Sequence, residues 1–68
     1  MVIDAHMPIS TLHEGRLYGR IYGDKKERFT DGESVITSKV ESLKWTKQGV
    51  VAITRNSTYL CMEVKVEV

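Results

Sequence analysis

The chain has 68 residues with ten basic and nine acidic side chains, and its formal net charge is +1. A chain of this length forms one domain with a small core, and its near-neutral charge argues against a protein whose main work is broad binding of phosphate backbones. One cysteine excludes an intramolecular disulfide, and without a long apolar run or a secretion pattern we expect a cytosolic protein with no membrane partner.

Residues 1–13 show only weak periodicity, and Pro8 removes one backbone donor. We interpret them as an N-terminal arm or edge strand of a single β domain that spans residues 1–68. His6 and His13, with Asp4, raise the question of a metal site. A structural zinc site needs four ligands, and the lone cysteine is far along the chain. We therefore expect two exposed or hydrogen-bonded histidines and no bound metal.

Residues 15–23 alternate with a period of two, which is typical of a half-buried strand. The set expected to face the core is Leu17, Gly19 and Ile21. The outward set is Tyr18, Arg20 and Tyr22. Gly19 predicts either a bulge or a close approach of another backbone. The outward set either stacks a base and pairs with a phosphate or simply covers a solvated face of the sheet.

Residues 24–33 form a charged loop that ends in an Asp-Gly turn signal. Five basic residues lie between positions 16 and 28, against two acidic ones, so this part of the chain carries a local positive face. Phe29 is the only phenylalanine. It either plugs one end of the core or forms a stacking platform at the mouth of a pocket.

The middle of the chain is rich in β-branched residues and predicts strands at residues 34–40, 41–46 and 50–54. A turn at residues 47–49 separates the last two of these strands. Thr37 and Ser38 fall on opposite faces unless the strand bulges between them.

The last predicted strand, residues 58–68, has the most regular alternation in the chain. The set expected to face a core or a subunit interface is Leu60, Met62, Val64, Val66 and Val68. Five short strands without a helical pattern predict an all-β fold, a small antiparallel five-stranded barrel or curled sheet of the SH3-like kind. Because the edge strands of so small a sheet expose unpaired backbone groups, we expect a homo-oligomer.

The sequence offers little for catalysis. Both histidines lie in its least regular part, the acidic residues form no conspicuous pair, and no glycine-rich phosphate loop or zinc spacing is present. We therefore expect a protein that is not an enzyme and carries no cofactor.

The turn at residues 54–59 favours binding instead. Arg55 offers bidentate hydrogen bonds to phosphate, and Asn56 can donate to and accept from a base edge. The alternative is ordinary turn chemistry, in which asparagine tolerates positive φ and Arg55 pairs with Asp31 or Glu33.

Four segments together carry a family resemblance: residues 19–21, 28–32, 36–40 and 54–59. In this order and spacing the chain is similar to the C-terminal part of the phage Thoeris anti-defence (Tad) sponge proteins. The resemblance implies a phage-type anti-defence protein in the host cytoplasm. Such a protein binds and sequesters a nucleotide-derived immune signal, a cyclic di- or trinucleotide or a cyclic ADP-ribose isomer, without cleaving it, in an oligomer.

The resemblance also implies roles for individual residues. Phe29 would stack on a base, Thr37 and Ser38 would bond ribose or phosphate, and Arg55 with Asn56 would clamp phosphate and base edge. The full predicted ligand site is Arg28, Phe29, Thr37, Ser38, Arg55, Asn56 and Ser57.

Two other functions remain open. One is a small inhibitor or adaptor that binds a host protein through a strand edge or through the outward aromatic face of the first predicted strand. The other is an SH3-like RNA- or DNA-binding module, suggested by Tyr18, Arg20 and Tyr22 and the basic loop that follows them.

Overall fold

A computed structural model describes residues 2–67 and shows an all-β architecture. Its strands are β1 (Ala5–His6), β2 (Ile9–His13), β3 (Arg16–Arg20), β4 (Ser34–Thr46), β5 (Gly49–Thr54), β6 (Thr58–Cys61) and β7 (Glu63–Val66). No helix occurs among these described residues, as the sequence predicted.

The seven strands form one mixed sheet in the order β1-β6-β5-β4-β3-β2-β7, and this sheet is not closed. Neighbours are antiparallel except for two parallel pairs, β1 with β6 and β2 with β7. The predicted all-β class is confirmed, but the sheet has seven strands instead of five, is mixed instead of purely antiparallel, and does not close into the predicted barrel. The two strands predicted at 34–40 and 41–46 are one strand of 13 residues, and the last predicted strand is divided in two.

Strand β4 belongs to two ladders. Residues 34–39 pair with β3, and residues 40–46 pair with β5. The ladder with β3 contains a bulge, because Arg16 lies opposite Lys39 while Tyr18 lies opposite Ile36. A bulge bends the strand that contains it. This bend lets β4 pair with β3 over its first half and with β5 over its second half.

The two ends of the chain run side by side in parallel. Met7 N donates to Leu60 O at 2.9 Å, and the N–H groups of Met62 and Glu63 both donate to Pro8 O, at 2.9 and 2.8 Å. Two successive donors on one carbonyl interrupt the regular ladder at Met62. The break between β6 and β7 thus results from pairing with residues more than 50 positions away in the sequence.

This break also corrects the prediction of which face of the last strand is buried. In β6 the side chains of Tyr59 and Cys61 lie in the core, whereas Met62 is 69% exposed and Val66 is 68% exposed. Past Met62 the alternation shifts by one residue, so that Val64 packs against the core. A one-residue shift moves every following side chain to the other face, so alternation alone could not assign the face.

The core lies between the two halves of the sheet. Its members are buried residues from almost every strand: Ala5, Met7, Leu17, Ile21, Val35, Val50, Ala52, Tyr59 and Cys61. Leu17 in β3 and Ile21 just after it are fully buried, so the inward face predicted for residues 15–23 is confirmed at these two positions.

The hairpin between β4 and β5 turns through Lys47 and Gln48, and it requires glycine at its end. Gly49 has φ +141°, and a Cβ atom there would stand 2.3 Å from Cys61 O. Backbone cannot yield as a flexible side chain does, so Gly49 lets β5 lie against β6 directly after the turn.

Candidate functional site

The turn that joins β5 to β6 is closed by its own hydroxyl and backbone groups. Thr54 Oγ1 donates to Ser57 O at 2.8 Å and accepts from Ser57 N at 3.0 Å. Thr54 N also donates to Ser57 O at 2.9 Å. Asp4 Oδ2 then accepts from Thr58 N at 2.8 Å and ties the turn to the N-terminal segment. These hydroxyl and backbone groups of the turn are therefore already hydrogen-bonded within the protein.

Asp24 organises the charged loop that faces this turn. Its side chain is 1% exposed. Its carboxylate accepts from the backbone N–H groups of Lys26, Arg28 and Phe29 at 3.2, 2.9 and 3.3 Å. The Arg28 guanidinium adds two bonds, Nε to Oδ2 at 3.2 Å and Nη2 to Oδ1 at 3.1 Å. The hydrogen-bonded Arg28 side chain lowers the pKa of Asp24 below its usual value, while burial opposes this shift.

Ser57 connects the loop to the turn. Its Oγ accepts from Arg28 Nη1 at 2.9 Å and from Lys26 Nζ at 3.0 Å, and the same Lys26 ammonium donates to Asn56 O at 2.5 Å. The Arg28 carbon Cζ lies 5.4 Å from the centre of the Phe29 ring. Phe29 is half-buried and packs against the core, so it plugs one end of the core.

Four of the seven predicted site residues therefore come together: Arg28, Phe29, Asn56 and Ser57. Their contacts are mostly with one another, with Asp24 and with Lys26. Three of the five guanidinium N–H groups of Arg28 already have partners within the protein. This cluster is a connection between two loops and offers few donors to a ligand.

Thr37 and Ser38 lie elsewhere, at the bulge between β3 and β4. Thr37 is buried, its Oγ1 accepts from Leu17 N at 3.1 Å, and it donates to Ser38 O at 2.8 Å. The Thr37 hydroxyl therefore supplies the hydrogen bond that the bulge withholds from Leu17. Ser38 is half-buried at the same position.

Arg55 and Asn56 lie at the exposed tip of the turn. Arg55 N donates to Lys39 O at 3.2 Å, and within residues 2–67 the Arg55 guanidinium makes no hydrogen bond or ion pair. The predicted alternative of a pair with Asp31 or Glu33 is therefore not found. Neither Arg55 nor Asn56 lines the two concavities described next.

A concavity lies on the outer face of β2, β3 and the first half of β4, and we call it the tyrosine groove. It has a volume of about 830 Å³ and is lined by Pro8, Ile9, Thr11, Tyr18, Gly19, Arg20, Tyr22, Ser34, Val35 and Ile36. Thr11, Tyr18 and Ile36 form adjacent cross-strand positions in its floor. A smaller cleft of about 250 Å³ adjoins it at Thr11 and Tyr18, and His13 and Glu67 complete its wall.

Gly19 allows β2 to approach β3 closely beside this groove. A Cβ atom at Gly19 would lie 2.7 Å from Ile9 O and 3.4 Å from Ser10 Oγ. Of the two alternatives predicted for Gly19, a bulge or a close backbone approach, the structure shows the close approach. Arg20 is held at the rim by one bond, from Nη1 to Gly32 O at 2.7 Å.

Sequence reasoning identified part of the groove, because Tyr18, Arg20 and Tyr22 alternate on the outward face of β3. It did not assign Pro8, Ile9, Ser34 or Ile36 to the same surface. These residues reach the groove only because β2 and β4 pair with β3. No local sequence pattern predicts this pairing.

Other site types find less support. Within the part of the chain that the structure describes, no three His, Cys, Asp or Glu side chains group together as metal ligands do. Cys61 is buried, and burial raises the pKa of its thiol, which lies 3.7 Å from Ser10 Oγ. A thiol of this kind is a poor nucleophile. Residues 2–67 contain no helix long and apolar enough to span a bilayer.

We also compared the chain with known proteins. No protein-family model, no curated protein and no solved structure matches it.

Proposed function

We propose that this protein is a non-enzymatic binding protein whose tyrosine groove holds a nucleotide-derived signal and removes it from solution. The observation that carries the proposal is the groove itself, about 830 Å³ in volume, on the face that bears two tyrosines and an arginine. The choice of a nucleotide among planar ligands rests on the resemblance to the sponge proteins.

The size and lining of the groove support a small ligand. Small-molecule sites in proteins are clefts of roughly 300–1,000 Å³ with mainly apolar and aromatic walls and a few polar groups that fix orientation. Here Tyr18, Tyr22 and Ile36 supply aromatic and apolar surface, while Thr11 and Ser34 supply hydroxyls. A cyclic dinucleotide-sized molecule is compatible with such a cleft.

Arg20 and the tyrosines supply the chemistry that a nucleotide needs. Tyr22 is 40% exposed, so its ring can stack on a base. Arg20 commits one Nη1 donor to Gly32 O, and a guanidinium has five N–H groups, so the others can bind a phosphate. The bond to Gly32 also fixes the position of the guanidinium before the ligand arrives, which lowers the entropic cost of binding.

This proposal moves the site away from the turn at residues 54–59. Arg28 and Ser57 are engaged with Asp24, Lys26 and each other, and Thr37 is buried beneath the bulge. The proposed setting stays as the resemblance implies: an anti-defence protein of SH3-like fold, oligomeric, in the host cytoplasm.

Calorimetric titration with cyclic dinucleotides, cyclic trinucleotides and cyclic ADP-ribose isomers tests the function. We expect at least one to bind with a Kd below about 1 µM, which corresponds to about −8 kcal/mol. If none binds below roughly that concentration, the sequestration proposal fails. Recovery of the unaltered ligand after denaturation of the complex is expected, and recovery of a cleaved product would contradict a non-enzymatic role.

A matched pair of variants tests the location. Tyr22→Ala is expected to weaken binding by roughly 5- to 150-fold, since stacking on an aromatic ring contributes about 1–3 kcal/mol per base. Arg55→Ala is the control, because Arg55 lies outside the groove. The opposite result, in which Arg55→Ala abolishes binding and Tyr22→Ala does not, would return the site to the turn at residues 54–59.

A second candidate function has one observation in its favour. Ile9 and Ile36 are 68% and 61% exposed within the groove, and exposed apolar residues that cluster mark sites of protein contact. A host-protein inhibitor that uses this face predicts that a stoichiometric protein is retained from host lysate and that Ile36→Asp abolishes the retention. An RNA or DNA ligand predicts instead an affinity that falls steeply with salt.

A further inference from the structure

The second half of β4 has one unpaired edge. Residues 40–46 pair with β5 on one side, but the ladder with β3 ends at Lys39. Within residues 2–67 no strand lies along the other side of residues 41–46. An edge of six residues without proline or glycine is a template for pairing with another strand.

The alternation of the ladder identifies the backbone groups at this edge. Thr46 and Gly49 flank the turn of the hairpin, so the backbone groups of Thr46 are directed towards β5. In an antiparallel pair the direction alternates along the strand. The N–H and C=O groups of Leu43 and Trp45 are therefore directed away from β5, towards the unpaired side.

The side chains at the same two positions are apolar. Trp45 is 75% exposed, and Leu43 is half-buried against the core. Both lie on one face of the strand, and Lys44 lies on the other. An exposed tryptophan next to unpaired backbone donors and acceptors is stabilised when a second strand covers both.

We propose that this edge pairs with the same edge of a second copy, antiparallel and about a two-fold axis at Leu43. In this register Leu43 lies opposite Leu43 of the partner subunit, and Ser42 lies opposite Lys44 of the partner subunit. Trp45 then lies diagonally beside Leu43 of the partner subunit. The two sheets become continuous through their β4 strands.

Charge selects this register over its neighbour. Outward backbone groups at Leu43 and Trp45 allow a two-fold axis at Leu43, at Lys44 or at Trp45. An axis at Trp45 leaves only residues 44–46 of each β4 strand paired, because the strand ends at Thr46. An axis at Lys44 places two ammonium groups directly opposite each other, which is destabilising. An axis at Leu43 places each Lys44 opposite a serine.

The proposed dimer leaves the tyrosine groove open. The groove takes its β4 residues from positions 34–36, whereas the paired edge comprises positions 41–46. The dimer therefore does not depend on ligand binding in the groove, and it specifies one arrangement for the oligomer proposed above. A short edge buries less surface than a standard interface, so association is expected to depend on concentration in the micromolar range.

Sedimentation equilibrium from about 1 to about 500 µM tests the association. We expect a monomer–dimer equilibrium, together with a concentration-dependent blue shift in the emission of Trp45, the only tryptophan. A monomer throughout that range overturns the proposal. Trp45→Pro is expected to abolish the dimer, because proline removes the outward N–H, whereas Trp45→Tyr is expected to retain it.

Disulfide trapping tests the register. Ser42 and Lys44 are exposed, so S42C and K44C are each expected to leave the fold intact. Across a non-hydrogen-bonded pair the Cα atoms are about 4.5 Å apart, within reach of a disulfide. An oxidised mixture of S42C and K44C chains is expected to form its mixed disulfide at least tenfold faster than a mixture of S42C and T46C chains, whose cysteines lie opposite each other only with an axis at Lys44 and which keep both ammonium groups. Faster trapping of S42C with T46C, or a dimer that persists in Trp45→Pro, contradicts this interface.

Discussion

The carboxylate of Asp24 and the guanidinium of Arg28 form a two-bond ion pair, with N–O distances of 3.2 and 3.1 Å, although the Asp24 side chain is 1% exposed. The pair is local, four residues apart, yet it connects two distant parts of the chain because Arg28 also reaches Ser57. The loop at residues 24–29 depends on this carboxylate for three backbone contacts as well.

Removing the charge of Asp24 is expected to destabilise the protein. Asp24→Asn keeps the shape but leaves the Arg28 guanidinium without its counter-charge, and we expect a loss of about 2–4 kcal/mol in the free energy of unfolding. Urea denaturation followed by far-UV circular dichroism measures it. Glu33→Gln, at an exposed position, is the control and is expected to change stability by less than about 0.5 kcal/mol. A variant as stable as the original chain would mean that the pair contributes nothing.

The same carboxylate predicts a loss of stability in acid. The hydrogen bonds from Arg28 hold the pKa of Asp24 in the folded protein below the ordinary 3.8. The corresponding stabilisation is therefore fully present above pH 3.8 and is lost as the pH falls through the folded-state pKa. We expect the urea midpoint of the original chain, measured from pH 7 to about pH 2, to approach the midpoint of Asp24→Asn as the pH falls. A constant difference between the two chains at every pH would show that ionisation is not involved.

Gly19 is expected to tolerate no side chain. In Gly19→Ala the new Cβ meets the backbone oxygen of Ile9 at 2.7 Å, and a backbone atom cannot move aside as a flexible side chain can. We expect about 1–3 kcal/mol of destabilisation from this overpacking, together with weaker ligand binding, since Gly19 lines the groove. Ser34→Ala, which also lines the groove but is exposed, provides the comparison. Unchanged stability in Gly19→Ala would mean that β2 moves away at no cost.

Thr37 distinguishes a folding role from a binding role. Thr37→Val preserves shape but removes the acceptor for the buried N–H of Leu17, so we expect a loss of about 1–3 kcal/mol in stability. Thr30→Val, at an exposed loop position, is its control. Calorimetric titration of Thr37→Val with the nucleotide that binds the original chain is expected to give an unchanged Kd. Normal stability with lost binding would instead support the ribose or phosphate contact implied by the resemblance.

The predicted binding residues show how far local chemistry reaches. Arg28 and Ser57 belong to the ligand site predicted together with the family resemblance. The sequence could not show that Asp24 and Lys26 use the polar groups of these two side chains, because the contacts of Ser57 join residues about 30 positions apart. The groove is similar in origin: Tyr18 was recognised on the outward face of its strand, while Ile36 entered only through strand pairing.

Alternation by itself determined the all-β class, most of the strand positions and the inward face of Leu17 and Ile21. These depend on residues one or two apart, where the pleat of the backbone fixes the geometry. Only the tertiary structure decided that the chain ends pair in parallel, that Tyr59 and Cys61 lie inside while Met62 lies outside, and that the groove forms on β2, β3 and β4. Each of these depends on which strand lies next to which, and the resulting change of one residue in register reverses the faces that local alternation suggests.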